Sequence, residues 1–280
     1  MSPHVLDHNG FIMEVSIAPI SALKPHEETI PEMVTNLMNQ VSQNKMFRHP
    51  IIVDKQTNII LDGMHRHKVA FILGLKFIPV IYVSYDDPSI KILRWWRSSE
   101  IKDREIVVRL ASKFRLEKIS KNIFEKVKNS VKLVMLYSDE IFINNKEIDS
   151  LQSYKIVRLI ENELVQMKKT IQYIREDSLL LGSSIIKPNM LFFTGKNISK
   201  QDVKENALKN QLFPHKSTCH VFPARVYNVN IDLELLKNNK DFSSLEALVT
   251  KQLSNRLVKY IPRPCIYENE VKDEACYEYQ

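Results

Sequence analysis

Residues 58 to 68 read NIILDGMHRHK and place one of only five glycines of a 280-residue chain between two different hydrophobic patterns. Before Gly63 stands a continuous apolar run of strand type, and after it HRHKVAFIL carries apolar residues at helical spacing. Glycine lets the backbone turn sharply there and lets a ligand approach it closely. The helix then opens at about Met64 or His65, with unpaired first amides and the positive end of the helix dipole. Arg66 and His67 add cationic or donor groups. Asp62 precedes the turn, where a carboxylate can hold Mg2+ between phosphates or orient a substrate hydroxyl. The segment reads either as an ordinary connection with a surface arginine or as an anion site. A Walker phosphate loop is absent.

The neighbouring patterns make this turn part of a small α/β unit. FIMEVSIAPI predicts a strand over roughly 11–18, KPHEET a loop, and TIPEMVTNLMNQVSQ a helix opened by a Thr29/Glu32 capping box. PIIVD, NIILD and IPVIYV predict short strands, and HRHKVAFILG a helix ended by Gly74. Residues 90–176 read as mostly helical, 180–235 as mixed loops and strands, and 241–260 as helical again. A boundary is expected near 88–100, giving an N-terminal domain over 1–92 and a larger α+β domain over 93–280.

Composition narrows the class. The chain is 44% apolar and 26% charged, as soluble globular proteins are. No apolar run approaches the roughly 18 residues of a membrane span, and no basic-then-apolar signal segment opens the chain, so no membrane partner and a cytoplasmic location are expected. Cys219, Cys265 and Cys276 are odd in number and irregular in spacing, which argues against a disulfide framework and a structural zinc site. His65 and His67, two apart on a helix, do not share a face for a metal. The net charge of +7 permits a nucleic acid or an anionic substrate, and the basic run over 102–132 reads as a solvated helical face.

LDGMHR after PIIVD, and before an apolar helix and IPVIYV, resembles the glycine-x-histidine-arginine signature of the ParB/sulfiredoxin superfamily, whose turn binds nucleotide phosphates. PHEET upstream, YDDP and WWR after the turn, and FPHKSTCH with NVNIDLELL near the end extend the likeness. Together they resemble the free L-serine kinases, the SerK-type enzymes, across residues 17 to 236. The resemblance implies a ParB-like α/β domain beside a larger α+β domain, with the active site in the cleft between them. It implies transfer of a phosphoryl group from ADP or ATP, with Mg2+, to the hydroxyl of L-serine. The O-phospho-L-serine formed could feed cysteine synthesis or a siderophore precursor.

Residue by residue, Glu27 matches the general base that accepts the serine hydroxyl proton; a primary alcohol is a poor nucleophile until a base does so. Asp62 matches the catalytic aspartate near substrate and metal. Gly63, Met64, His65, Arg66 and His67 fall on the phosphate-binding turn. His65 is also a charge-stabilising donor to the moving phosphoryl group. Relatives often carry a second histidine where Met64 stands, so Met64 contributes its backbone amide. Trp95 and Trp96 fall where relatives have a tryptophan near the serine. Two adjacent residues of a helix face apart, so at most one of them lines the pocket. Lys216, Ser217, Thr218 and His220 match the amino-acid-binding segment. Two positions depart from the pattern. Cys219 replaces an arginine and cannot act as a carboxylate fork, with Arg225 as a possible substitute, and Gln40 falls where relatives have serine.

Other readings of the same sequence are a ParB-like DNA-binding, partition or regulatory protein and a catalytically degenerate nucleotide or amino-acid sensor. Against DNA, the basic run is interleaved with Asp103, Glu105, Glu117 and Glu125, and no helix-turn-helix follows the N-terminal unit. Sulfiredoxin-like chemistry needs a cysteine where Met64 stands.

Overall fold

The computed structural model describes residues 4–144, 146–181, 188–237, 241–267 and 270–280. By internal contacts the chain divides into two compact units. The first comprises Met1–Lys91, Ala207–Gln211 and His220–Gln280, the second Ile92–Asn206 and Leu212–Cys219. No helix among the described residues is long and apolar enough to cross a membrane.

The first unit is built on a sheet with strand order His4–His8, Phe11–Pro19, Phe77–Val83, Ile51–Asp54, Ile60–Asp62. The expected strands over 11–18, PIIVD, NIILD and IPVIYV are all present. Ile51–Asp54 runs parallel to Phe77–Val83, with Ile51 opposite Val80, and both strands are almost wholly buried. A continuous apolar run is the expected signature of a strand covered on both faces. Ile60–Asp62 pairs antiparallel with Ile51–Asp54, Asp62 opposite Ile52, so the acid leaves the sheet at its edge. Helix Phe242–Ser254 packs on strand Phe11–Pro19 through a buried face of Leu245, Val249 and Leu253.

Helix Pro31–Asn44 forms as expected, but the Thr29/Glu32 capping box does not. Pro31 occupies the first helical position, so Ile30 becomes the cap residue and Thr29 stands outside; no side chain caps this end locally. Instead the Ile30 N–H donates to Nε2 of His65 at 3.0 Å. Helix Met64–Ile72 starts directly after Gly63, and Gly74 follows its end in the left-handed region at φ 66°. Gly63 itself has φ 100°. A Cβ at Gly63 would come within 2.5 Å of Ile51 Cγ2 and 2.9 Å of Ile51 Cβ, so both conformation and space require glycine.

The loop before helix Pro31–Asn44 is fastened to the edge strand. Lys24 bridges Ile59, donating to Asn58 O and accepting from Ile60 N, each at 2.9 Å. Fully buried His26 donates from Nδ1 to Ile60 O at 2.6 Å. Glu27 follows immediately and is half-buried.

After His220 the chain builds a second small sheet in the first unit. Ala224–Tyr227 lies parallel to Ala275–Tyr279, which pairs antiparallel with Val258–Ile261. The expected helix over 241–260 therefore ends at Ser254 and yields to a strand. Cys265 and Cys276 form a disulfide, against the expectation from spacing. The two lie 11 residues apart, and the pairing of Ile261 with Cys276 returns the chain so that they meet, which irregular spacing does not reveal.

The second unit departs most from the helical expectation for 90–176. Its sheet runs Gln172–Arg175, Lys91–Glu100, Met190–Gly195, Leu133–Tyr137, Glu140–Asn144, Glu117–Ile119, all antiparallel. KILRWWRSSE is a strand because its aromatic and β-branched residues fit a half-buried pleated surface. Helices Arg104–Lys113, Lys121–Val127 and Ser150–Gln166 are interspersed among these strands. In SSIIKPNMLFFTG, residues 183–187 fall outside the described residues, and Met190–Gly195 is the expected strand.

Two stability predictions follow from the junction and the buried ring. Gly63→Ala must adopt a left-handed backbone and displace Ile51, for a combined loss of about 2–4 kcal/mol in urea unfolding; a loss under about 1 kcal/mol refutes the assigned strain. Burial pushes the His26 imidazole down from 6.5 to about 4, although the Ile60 hydrogen bond and Asp62 charge oppose the shift. The folded chain thus holds the ring neutral while the unfolded chain protonates it near 6.5. Stability is full above pH 6.5 and falls as pH drops toward 4, by up to a few kcal/mol from this group. The urea midpoint of His26→Gln should decline less steeply than the parent's between these pH values; parallel slopes exclude His26 as a contributor.

Candidate functional site

In the first unit the charges converge on Asp62. Its Oδ2 accepts from Arg66 Nη2 at 2.9 Å and from Arg225 Nη1 at 2.7 Å. Arg66 reaches it from the next helical turn, and its Nη1 also donates to Pro50 O. Arg225 comes from strand Ala224–Tyr227, with Nε on Glu274 Oε1 at 3.0 Å and its guanidinium 5.0 Å from the Phe222 ring centre. Burial alone would push the Asp62 carboxyl up. The Arg225 and Arg66 charges, the Arg225 hydrogen bond and nearby His220 overcome this and hold it far below the usual carboxylate range. Burial likewise opposes the charge on Arg225, and Asp62 and Glu274 more than restore it.

Beside this network lies the first turn of helix Met64–Ile72. The His67 N–H already bonds Gly63 O at 2.9 Å, which leaves the amides of Met64, His65 and Arg66 as its N-terminal donors. With the dipole and the half-buried Arg66 guanidinium, they form an anion-binding end. The side chains diverge. Met64 is buried. His65 uses Nε2 to accept from Ile30, which assigns its ring proton to Nδ1. His67 hydrogen-bonds the backbone of Ile20, and its Nε2 is buried without a partner. Burial pushes this imidazole down, so its side chain packs as a neutral group.

His220 also belongs to the first unit, so the unit border falls inside the KSTCH motif. Buried His220 shares a hydrogen bond of 2.7 Å between Nε2 and the Tyr85 hydroxyl, and its ring meets that of His26 edge-on at 5.3 Å. Burial first, then Asp54 and Asp86, push the Tyr85 phenol up.

The second unit carries the remaining expected residues. Trp95 and Trp96 alternate across strand Lys91–Glu100. They face apart as expected, though through a strand rather than a helix. Trp96 packs in the core with Val131, Val134, Ile143 and Phe192. Trp95 is half-buried and donates from Nε1 to Thr218 O at 3.1 Å. Lys216 Nζ stands 4.3 Å from the centre of the Trp95 ring, a cation–π arrangement. Ser217 is fully buried and donates to Pro214 O at 2.5 Å. Cys219 is half-buried and outside the disulfide.

The sequence gives no sign of Glu274 or Glu161, and Tyr85 and Arg97 stand in the YDDP and WWR segments with no role assigned to them. Arg225, offered by the sequence as one possible substitute for the arginine absent at Cys219, is instead paired with Asp62 and Glu274. Its partners lie 163 and 49 residues away, and only the pairing of Ala224 with Ala275 brings Glu274 near. Among the described residues no group of three metal-ligating side chains occurs. Asp62 gives Oδ2 to the arginines and keeps Oδ1, a donor set that fits a magnesium ion held mainly by substrate phosphates.

No protein-family model matches the chain. It is 28% identical over 242 residues to an ATP-dependent L-serine kinase of Staphylothermus marinus, covering 80% of this chain and 92% of that one. It is 23% identical over 225 residues to the ADP-dependent L-serine kinase SerK of Thermococcus kodakarensis, covering 78% and 90%. A ParB-like protein of Sulfolobus acidocaldarius is 36% identical over 75 residues, 27% of this chain and 37% of that one. Among solved structures, a mutant free serine kinase in complex with ADP superposes with a TM-score of 0.65 at 22% identity, covering 79% and 93%. SbnI of Staphylococcus aureus, truncated at its C-terminus, gives 0.70 at 18% identity, covering 86% and 96%. The chain thus resembles the free L-serine kinases over most of its length, in sequence and in fold.

Proposed function

We propose that this chain is an L-serine kinase that takes its phosphoryl group from ADP or ATP. One observation carries the reading: a strand–glycine–helix anion turn whose neighbouring carboxylate is kept ionised by two guanidinium groups. Phosphoryl transfer needs positioning and charge neutralisation more than covalent help from the protein. The amides of Met64, His65 and Arg66 hold the phosphates, and Arg66 adds charge. Glu27 is the general base. The serine Oγ forms a bond to the terminal phosphorus, the bond from that phosphorus to the bridging oxygen breaks, and the hydroxyl proton passes to Glu27. AMP leaves from ADP, or ADP from ATP. Asp62 orients the acceptor hydroxyl and would hold Mg2+, which when bound neutralises phosphate charge. Lys216, Ser217, Thr218 and Trp95 serve the amino-acid side, and His220 supports Asp62 electrostatically.

In this reading Glu27, Asp62 and the residues of the phosphate turn all belong to the first unit. The alternative, a ParB-like DNA-binding or regulatory protein, is supported by the 75-residue likeness to a ParB-like protein.

Incubation with Mg2+, L-serine and either ADP or ATP should give O-phosphoserine together with AMP or ADP, and Glu27→Gln should lower turnover about 10² to 10⁴-fold while nucleotide still binds. Near-normal turnover removes Glu27 from the mechanism. No product from either donor, with salt-dependent DNA binding instead, favours the alternative. Arg66→Ala should weaken nucleotide binding by about 1–3 kcal/mol and serine binding less; the reverse order sinks the assigned division of the site.

A further inference from the structure

A buried ion pair in the second unit has no role in the chemistry above. Arg97 is fully buried and Glu161 nearly so. Arg97 Nε donates to Glu161 Oε1 at 2.6 Å, Nη1 to Trp95 O at 2.9 Å and Nη2 to His215 O at 3.3 Å. The guanidinium lies 5.6 Å from the Tyr154 ring centre and 5.5 Å from that of Tyr173. One side chain thus ties together helix Ser150–Gln166, strand Lys91–Glu100 and the segment that carries Lys216, Ser217 and Thr218.

That segment is pinned at both ends. His215 is held through its carbonyl by Arg97 and through its ring by Arg158 and the Tyr173 hydroxyl. Three residues on, Thr218 O takes the Trp95 indole N–H. Between the pins Lys216 has φ 59°, a left-handed conformation that a non-glycine residue keeps only where its surroundings impose it. The imposed turn sets the Lys216 ammonium over the Trp95 ring. A buried ion pair is a weak source of stability, because desolvation offsets its attraction and an apolar pair of similar volume often serves as well. Its distinctive contribution is geometry: a planar fork satisfies fixed acceptors in fixed directions, which an apolar pair cannot do.

We propose that Arg97, clamped by Glu161, is a positioning residue for acceptor recognition. It fixes the 215–218 turn so that Lys216 presents its charge to the carboxylate of the amino-acid acceptor, the role that Cys219 cannot fill. The acceptor part rests on the kinase reading. The positioning part rests on this unit's geometry alone.

The test compares the parent with Arg97→Met/Glu161→Met, which removes both charges and keeps apolar volume. Two quantities are read: KM and kcat for L-serine with nucleotide affinity, and the alkylation rate of Cys219 measured on its own peptide with iodoacetamide. The double variant should raise KM for serine about 10 to 100-fold, with kcat and nucleotide affinity within about threefold of the parent. Cys219 should alkylate about tenfold faster as the turn loosens. Unchanged KM and unchanged alkylation overturn the proposal. If the parent forms no phosphoserine but Cys219 in the variant alkylates faster, the kinase reading fails and the positioning role stands. If the double variant does not fold, Arg97→Lys keeps the charge, loses the fork and is read by the same two measurements. An unchanged result there overturns the proposal.

Discussion

The first unit depends on a carboxylate that two guanidinium groups hold ionised against the upward push of burial. Asp62 closes the edge strand Ile60–Asp62, and one of its oxygens takes both Arg66 and Arg225. Arg66 is fixed by helical spacing, four residues on, as soon as the helix begins at Met64. Arg225 is fixed only when Ala224–Tyr227 pairs with Ala275–Tyr279 and Glu274 takes its Nε. The carboxylate is therefore tied to an arginine 163 residues further along the chain. Two cations around Asp62, one of them offset by Glu274, leave the neighbouring helix end favourable for a phosphate. An ionised carboxylate without them would repel it.

The turn and its setting were legible in the sequence because each step is local. An apolar run, an acid, a glycine and an amphipathic helix specify strand, edge, reversal and N-terminus in that order, and Gly63 is required twice over, by its φ and by Ile51. The loop ahead of helix Pro31–Asn44 was less legible. Thr29 and Glu32 match a capping box in letters, but Pro31 takes the first helical position and shifts the cap to Ile30, whose N–H finds His65 instead. His26 carried no local signal at all, although its bond to Ile60 O fastens the residue next to Glu27 onto the edge strand.

The second unit was misread for a related reason. The charged residues over 102–132 suggest a long solvated helix, and they form two short helices separated by strand Glu117–Ile119. KILRWWRSSE sits among residues read as helical, yet its alternation places Trp96 in the core and leaves Trp95 half-buried. Arg97 closes the WWR segment, and its burial has no local signal in the sequence. Only tertiary structure, with Glu161 64 residues away and His215 118 away, makes it the most enclosed charge of the unit.

These arrangements also bear on the two halves of the proposed chemistry differently. On the proposed nucleotide side the backbone would do most of the recognition, through the first amides of helix Met64–Ile72, where the Met64 side chain itself is buried. On the proposed acceptor side recognition would depend on side chains, and there Cys219 offers no cation. Arg225 cannot compensate, because withdrawing it from Asp62 would leave a half-buried carboxylate with one cation and Glu274 with none. In the proposed chemistry a cation for the acceptor carboxylate would come from the 215–218 segment. Lys216 has the charge, and the left-handed backbone pinned by Arg97 and Trp95 gives it a fixed direction. An ammonium is a point charge and not a fork, so acceptor selectivity in this chain should depend more on the shape around Trp95 than on bidentate recognition.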